Sequence, residues 1–174
     1  GKSVIGENLS RMIRDRFPNT VFIDGDGVRE LFGNDLGHTI QDRKINADRI
    51  CRLCRFLDQQ GLHVVCSVLS LFHESQDWNR RNLSGYFEVY IDAPLDLLVQ
   101  RDAKGLYQKA KSGKEKNVVG VDIEFVPPKK PDMIIKNCFQ NSPEEIAKNI
   151  YEKILPGLES GARSAEGRNC KENR

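Results

Sequence analysis

Two apolar rhythms alternate along this chain. Between Val4 and Phe17, the residues Ile5, Leu9, Met12 and Ile13 fall three to four positions apart, the spacing of one helix face. Pro18-Asn19 stops that helix. "TVFID" (20–24) is a short β-rich run ending in acid. "ADRICRLCRFLDQQG" (47–61) returns to the helical period, with Ile50, Leu53, Cys54 and Leu57 on one face and Gly61 as the stop. "HVVCSVL" (63–69) is a continuous apolar strand of the kind a sheet buries on both faces. "YFEVYID" (86–92) and "DMIIKN" (132–137) supply two more strands. "SPEEIAKNIYEKIL" (142–155) reads as a helix with Ser142 at the N-cap, Pro143 at the first position and Glu145 completing a capping box. Strands alternating with helices predict an α/β fold with a parallel sheet, in one domain over 1–155. The tail 156–174 is polar and Gly-rich, which predicts disorder, with a docked terminal arm as the alternative.

Composition narrows the class. The chain has 174 residues, enough to bury a substantial core without disulfide staples. Net charge is +2, too small to argue for nucleic acid or an acidic membrane as partner. No apolar run reaches the roughly 18 residues of a membrane span. Cys51, Cys54, Cys66, Cys138 and Cys170 are odd in number and scattered, which argues for a reducing compartment and a cytoplasmic location. Cys51 and Cys54 form a CxxC inside a helical pattern. Zinc is one reading of it, a buried helix face the other.

Three stretches carry candidate chemistry. Gly1-Lys2-Ser3 fits the end of G-x-x-x-x-G-K-[ST] and stands directly before a helix. In that motif backbone N–H groups face phosphate oxygens, the lysine neutralises them and the serine holds Mg²⁺. "IDGDGVRE" (23–30) places Asp24 and Asp26 at the end of a strand, with Arg29 three residues on. Carboxylates there orient Mg²⁺ or accept a proton, and an arginine grips phosphate or sulfate. A polar turn with Asp capping the next helix is the plainer reading. "GLYQKAKSGKEKN" (105–117) sets Lys109, Lys111, Lys114 and Lys116 against Glu115. It reads as a basic lid closing over phosphates, or as a solvated helix face.

Taken together, "DGDGVRELFGNDLGHTIQDRKINADRI", "RDAKGLYQKAKSGKEKNVVGVD" and above all "IDAPLDLLVQRDAKGLY" resemble the adenylyl-sulfate kinase family, over roughly residues 1 to 150. The resemblance implies a three-layer P-loop nucleotide kinase fold with parallel strands in the order 2-3-1-4-5. Strand 1 would precede Gly-Lys-Ser, so the sequence is expected to begin inside a longer native protein, with a truncated inactive form as the alternative. It implies transfer of the γ-phosphoryl group of ATP to the 3′-hydroxyl of adenylyl sulfate, an activity of sulfate assimilation. By matching position, Gly1, Lys2 and Ser3 would serve ATP phosphates, and Ser3 and Asp24 would serve Mg²⁺. Asp26 would orient or deprotonate the attacking hydroxyl, with Lys2 beside it in catalysis. Arg29, His38, Arg43, Asn46, Ser70, Lys104 and Val118 fall at acceptor-binding positions, with the lid over about 104–120. Relatives are commonly dimers, which makes a homodimer a candidate partner state.

The match departs from the family where the acceptor base is read. The family typically has DGDN where Gly27 stands here, L-G-F-S where "LGHT" places His38, and F-T-G where "NVVG" places Val118. Those two aromatics sandwich the adenine in the family, and base stacking on an aromatic face is worth about 1–3 kcal/mol. The expectation is therefore an ATP-dependent kinase with adenylyl sulfate as acceptor. The alternatives are a kinase of another nucleotide-linked small anion, such as a cytidine derivative, and a non-catalytic nucleotide-binding domain. The kinase reading requires Lys2 and Asp26 to share one cleft.

Overall fold

The computed structural model describes residues 1–100, 105–114, 116–137 and 140–169, without the side chains of 106, 111 and 162–169. The elements are α1 (Lys2–Arg16), β1 (Thr20–Asp24), α2 (Gly25–Leu31), α3 (Ile40–Gln59), β2 (His63–Ser67), α4 (His73–Asn82), β3 (Val89–Asp92), α5 (Leu95–Gln100), α6 (Leu106–Lys111), β4 (Met133–Lys136) and α7 (Pro143–Asn169). Among the described residues all strand pairing is parallel, β1 with β2 and β3 with β4, and the two pairs share no ladder. These are the neighbours that the order 2-3-1-4-5 requires for its second and third strands and for its fourth and fifth.

Strand alternation sorts the core into two clusters. On one face Ile5, Leu9 and Ile13 of α1 meet Ile146, Ala147 and Ile150 of α7, and Val65, Val89, Ile91, Met133 and Ile135 pack against them from three strands. On the other face Val28 of α2 and Ile50 and Cys54 of α3 pack on Ile23, Val64, Cys66 and Val68. Val64 and Cys66 thus point one way and Val65 the other, the two-sided burial that the apolar run 63–69 predicts. Helices on both faces of the strands make the three layers.

Cys51 and Cys54 lie on the buried face of α3. Burial pushes the Cys51 thiol up to about 11. A hydrogen bond with Cys54 and burial push the Cys66 thiol up as well. Thiols so placed stay protonated at neutral pH and serve as core atoms.

Local rules explain the element ends. Ser142 N donates to Glu145 Oε2 at 2.7 Å and Glu145 N to Ser142 Oγ at 3.1 Å, the reciprocal capping box read from the sequence. Two boundaries move. α3 begins at Ile40 rather than at 47, because Thr39 caps it by accepting from Asp42 N at 3.1 Å. α7 runs through Pro156 to Asn169, past the boundary expected at 155 and into the tail expected to be disordered. Leu158 packs on the α1–α7 cluster, and Arg16 pairs with Glu159 at 2.6 Å, so tertiary contacts carry the helix past its proline.

Candidate active site

The site is built where β1 and β2 end and α1, α2 and α3 begin. Gly6 lets α1 reach that point. A Cβ on residue 6 would stand 2.1 Å from Ser67 Oγ and 2.7 Å from Phe22 Cε2. The bare backbone seats the helix on the strands, and Ser67 Oγ then donates to the Lys2 carbonyl at 3.2 Å. Ser67 is the register partner of Asp24. One short chain of contacts thus joins the start of α1 to the acidic end of β1.

Gly1 is the N-cap of α1; no side chain caps this helix start and its first turn holds no acid. The first N–H groups of a helix lack intrahelical partners, and the helix dipole adds positive charge there. Lys2 keeps an exposed surface, yet desolvation by the atoms crowding its head lowers its pKa, while Asp26 pulls the other way. Lys2 and Asp26 are therefore electrostatic neighbours. Ser3 is half-buried on the same turn.

Asp24 caps α2, accepting from Gly27 N at 2.6 Å, so the plainer reading of "IDGDG" is realised. That bond engages Oδ1. Asp26 stands exposed in the first turn of α2. Behind it Asn46 of α3 is buried and donates to the Gly25 carbonyl at 3.5 Å, while its own Oδ1 has no partner among the described residues.

Arg29 and Arg43 hold the loop between α2 and α3. Arg29 Nη1 donates to the carbonyls of Leu36 at 3.3 Å and Gly37 at 2.7 Å. Arg43 Nε donates to the His38 carbonyl at 2.9 Å. Arg43 Nη2 crosses to the Asn117 carbonyl at 2.9 Å. Desolvation and the nearby Arg29 lower the Arg43 pKa, while Asp122 and Asp26 support its charge. Asp26 thus lies in the field of Lys2 and of Arg43 together.

The His38 side chain is exposed and Val118 is buried. Asp122 accepts from Asn117 N at 2.6 Å and Val118 N at 2.5 Å, and these two amides hold its pKa below the ordinary aspartate value. Ser70 is tied to α4, its Oγ accepting from the buried Gln76 at 3.1 Å. Lys104 lies outside the described residues. Lys109, Lys114 and Lys116 are exposed around α6.

The structure therefore brings together Lys2, Asp24, Asp26, Arg29, Arg43 and Asn46, with the backbone of His38 and the turn that carries Val118. Sequence reasoning missed Ser67, Gly6 and Asp122. Asp122 lies inside the quoted run "NVVGVD", but no role attached to it.

The family model for adenylylsulphate kinase matches residues 1–136. The chain belongs to that family. It is 39% identical over 157 residues to the cytidine diphosphoramidate kinase of Campylobacter jejuni, covering 88% of this chain and 89% of the relative. It is 32% identical over 152 residues to the adenylyl-sulfate kinase of Gloeothece citriformis, covering 87% of this chain and 86% of the relative. Among solved structures it superposes on the APS kinase of Mycobacterium tuberculosis in complex with AMPPNP and APS, with a TM-score of 0.78, 28% identity, and coverage of 87% of this chain and 89% of that one. The fold is that of these P-loop kinases, and the chain is a nucleotide kinase by family. Among the described residues no helix is long and apolar enough to cross a membrane.

Proposed function

We propose that this chain is an ATP-dependent kinase that phosphorylates the 3′-hydroxyl of a nucleotide carrying a small anionic group, with a cytidine diphosphate-type acceptor preferred over adenylyl sulfate. One observation carries the kinase reading: Lys2 opens α1 and Asp26 opens α2 at the ends of two paired strands, Ser67 of β2 bonding the Lys2 carbonyl opposite Asp24 of β1, with Asp26 near enough to support the charge of both Lys2 and Arg43. Phosphoryl transfer proceeds through a loose transition state, so alignment and charge neutralisation matter more than a strong base. Lys2 and the first turn of α1 would hold the ATP phosphates. Asp26 would align the acceptor hydroxyl for in-line attack. Arg29 and Arg43 each keep N–H donors beyond those committed to carbonyls, and these would face the acceptor's anionic groups.

Magnesium fits the oxygen donors present. Ser3 offers a hydroxyl, and Asp24 keeps one carboxylate oxygen beyond the one that caps α2. Among the described residues no group of three or more His, Cys, Asp or Glu gathers as a metal cage. That suits an ion held by one or two protein groups, substrate phosphates and water. When bound, the ion would neutralise charge on the transferring phosphate.

The acceptor preference rests on the base-reading positions. His38 and Val118 stand where the resemblance implies two aromatics, and Val118 is 3% exposed, a core residue rather than a stacking face. A pyrimidine has the smaller face and depends less on a sandwich. The similarity to the cytidine diphosphoramidate kinase supports the same choice. Adenylyl sulfate is the second reading, supported by the similarity to a kinase solved with APS bound.

Acceptor-dependent ADP release from the full-length protein tests both readings, with cytidine diphosphoramidate, adenylyl sulfate and no acceptor as the three arms. The expected order of kcat/KM is the cytidine compound first. The reverse order selects the second reading. No release above the acceptor-free rate overturns the kinase proposal and leaves nucleotide binding alone.

A further inference from the structure

We propose that Arg43 and Asp122 form a clasp that ties the 36–39 loop to the 117–123 turn, and that the spacing it sets selects the base of the acceptor nucleotide. The claim about selection rests on the kinase reading above; the clasp itself does not.

The bonding pattern assigns this role. The Asn117 carbonyl and the Val118 N–H belong to one peptide unit. Arg43 Nη2 donates to its carbonyl at 2.9 Å, and Asp122 Oδ1 accepts from its N–H at 2.5 Å. A single peptide plane is therefore gripped from both ends by opposite charges. Asp122 Oδ2 adds the preceding amide, Asn117 N, at 2.6 Å. Asn117 itself has φ of 64°, in the left-handed region that Asn tolerates better than most residues. The clasp thus stabilises a backbone conformation that is otherwise uphill.

The same guanidinium reaches the other loop, its Nε donating to the His38 carbonyl at 2.9 Å. Arg29 takes the two carbonyls before it, those of Leu36 and Gly37. Three consecutive carbonyls are thereby fixed by two arginines, and among the described residues Arg43 alone spans both loops. Every contact is to the main chain. The spacing between positions 38 and 118 is accordingly set whatever side chains stand there. Arg43 and Asp122 are positioning residues, and an acceptor base lying between the loops would meet a slot whose width they hold.

Two variants of the full-length protein test this. Arg43→Lys keeps the charge and loses the two-directional fork. Asp122→Asn loses the charge from a residue that would repel the acceptor's anion, so it isolates the positioning role; Asp122→Glu replaces it should the Asn variant not fold. The readout is the ratio of kcat/KM for cytidine diphosphoramidate to that for adenylyl sulfate. Each variant is expected to shift the ratio by about tenfold toward the larger base, within the range pocket fit usually supplies. The double variant is expected to shift it no further, as for residues acting as one unit. A uniform loss with both acceptors in Arg43→Lys, with an unchanged ratio in the Asp122 variant, overturns the proposal and leaves Arg43 as an anion contact only.

Amide hydrogen exchange supplies a readout independent of turnover. Exchange at 37–39 and at 117–123 is expected to rise together in either variant. Wild-type exchange at 37–39 in the Asp122 variant sinks the clasp. If the wild-type protein phosphorylates neither acceptor, the kinase reading fails and the exchange result alone decides the clasp.

Discussion

The sides of this site proposed for phosphate and for base are built on different principles. On the side proposed for phosphate, Lys2 and Asp26 stand at the starts of two helices seated on strand ends, with Asp26 near enough to support the lysine's charge. On the side proposed for the base, the hydrogen bonds of Arg29, Arg43 and Asp122 go to main-chain carbonyls and amides. Charge proposed to meet a triphosphate has little freedom to vary. Charge that holds a loop leaves the loop's own side chains free to change. The family pattern is accordingly kept at Lys2, Ser3, Asp24 and Asp26, and altered at Gly27, His38 and Val118.

Substitutions on the two sides are expected to differ in kind. Asp26→Asn should lower kcat by about 10²–10⁴-fold, the usual worth of one positioned acid or base, with both acceptors affected alike and KM changed far less. Steady-state kinetics with both acceptors checks this, and unimpaired turnover would remove Asp26 from the catalytic role. Gly6→Ala gains about 0.5–1 kcal/mol of helix preference. Overpacking against Ser67 and Phe22 costs about 1–3 kcal/mol and should win. Thermal unfolding should then show a lower Tm, and the KM for ATP should rise as Ser67 gives up the Lys2 carbonyl.

On the base side, His38→Phe should leave the phosphate machinery untouched and improve adenylyl sulfate binding, up to the roughly 1–3 kcal/mol that stacking supplies. Binding titrations with the two acceptors read the effect; equal gains for both would break the contrast between the two sides. Ser142→Ala lies outside both regions. It should cost about 1 kcal/mol of stability in a denaturant titration and leave both kcat/KM values as they were.

The smallest effect is a pH dependence. The Asp122 pKa is depressed in the folded protein by the Asn117 and Val118 amides. Its contribution to stability is therefore complete above the unfolded value of 3.8 and lost as pH falls through the lower folded value. Amide protection in the 117–123 turn, measured relative to the intrinsic exchange rate at each pH, should fall on acidification of the wild-type protein. In Asp122→Asn that protection should be low at every pH.

How much of this could be read from residues alone depended on the range of the forces involved. The Ser142–Glu145 box and the two-sided strand at 63–67 rest on neighbours in sequence, and both are found. The start of α3 was equally local, since Thr39 and Asp42 are a cap three residues apart, but the weak apolar period from 40 to 46 hid it. The extension of α7 was not legible. It depends on Leu158 and Glu159 meeting α1 from the far end of the chain. Lys2 and Asp26 were paired through the resemblance, which carries three-dimensional information that spacing lacks. Asp122 had no comparable signal, because its partners are backbone amides, and every residue but proline has one.

Residue 6 has a genetic corollary. Every single-nucleotide change that replaces glycine puts at least one carbon where Ser67 and Phe22 already stand. Every missense neighbour of such a codon carries that crowding, so change at this position is disfavoured by the helix seat alone. Side-chain freedom at 38, on a loop held through its main chain, therefore coexists with a helix seat that resists substitution.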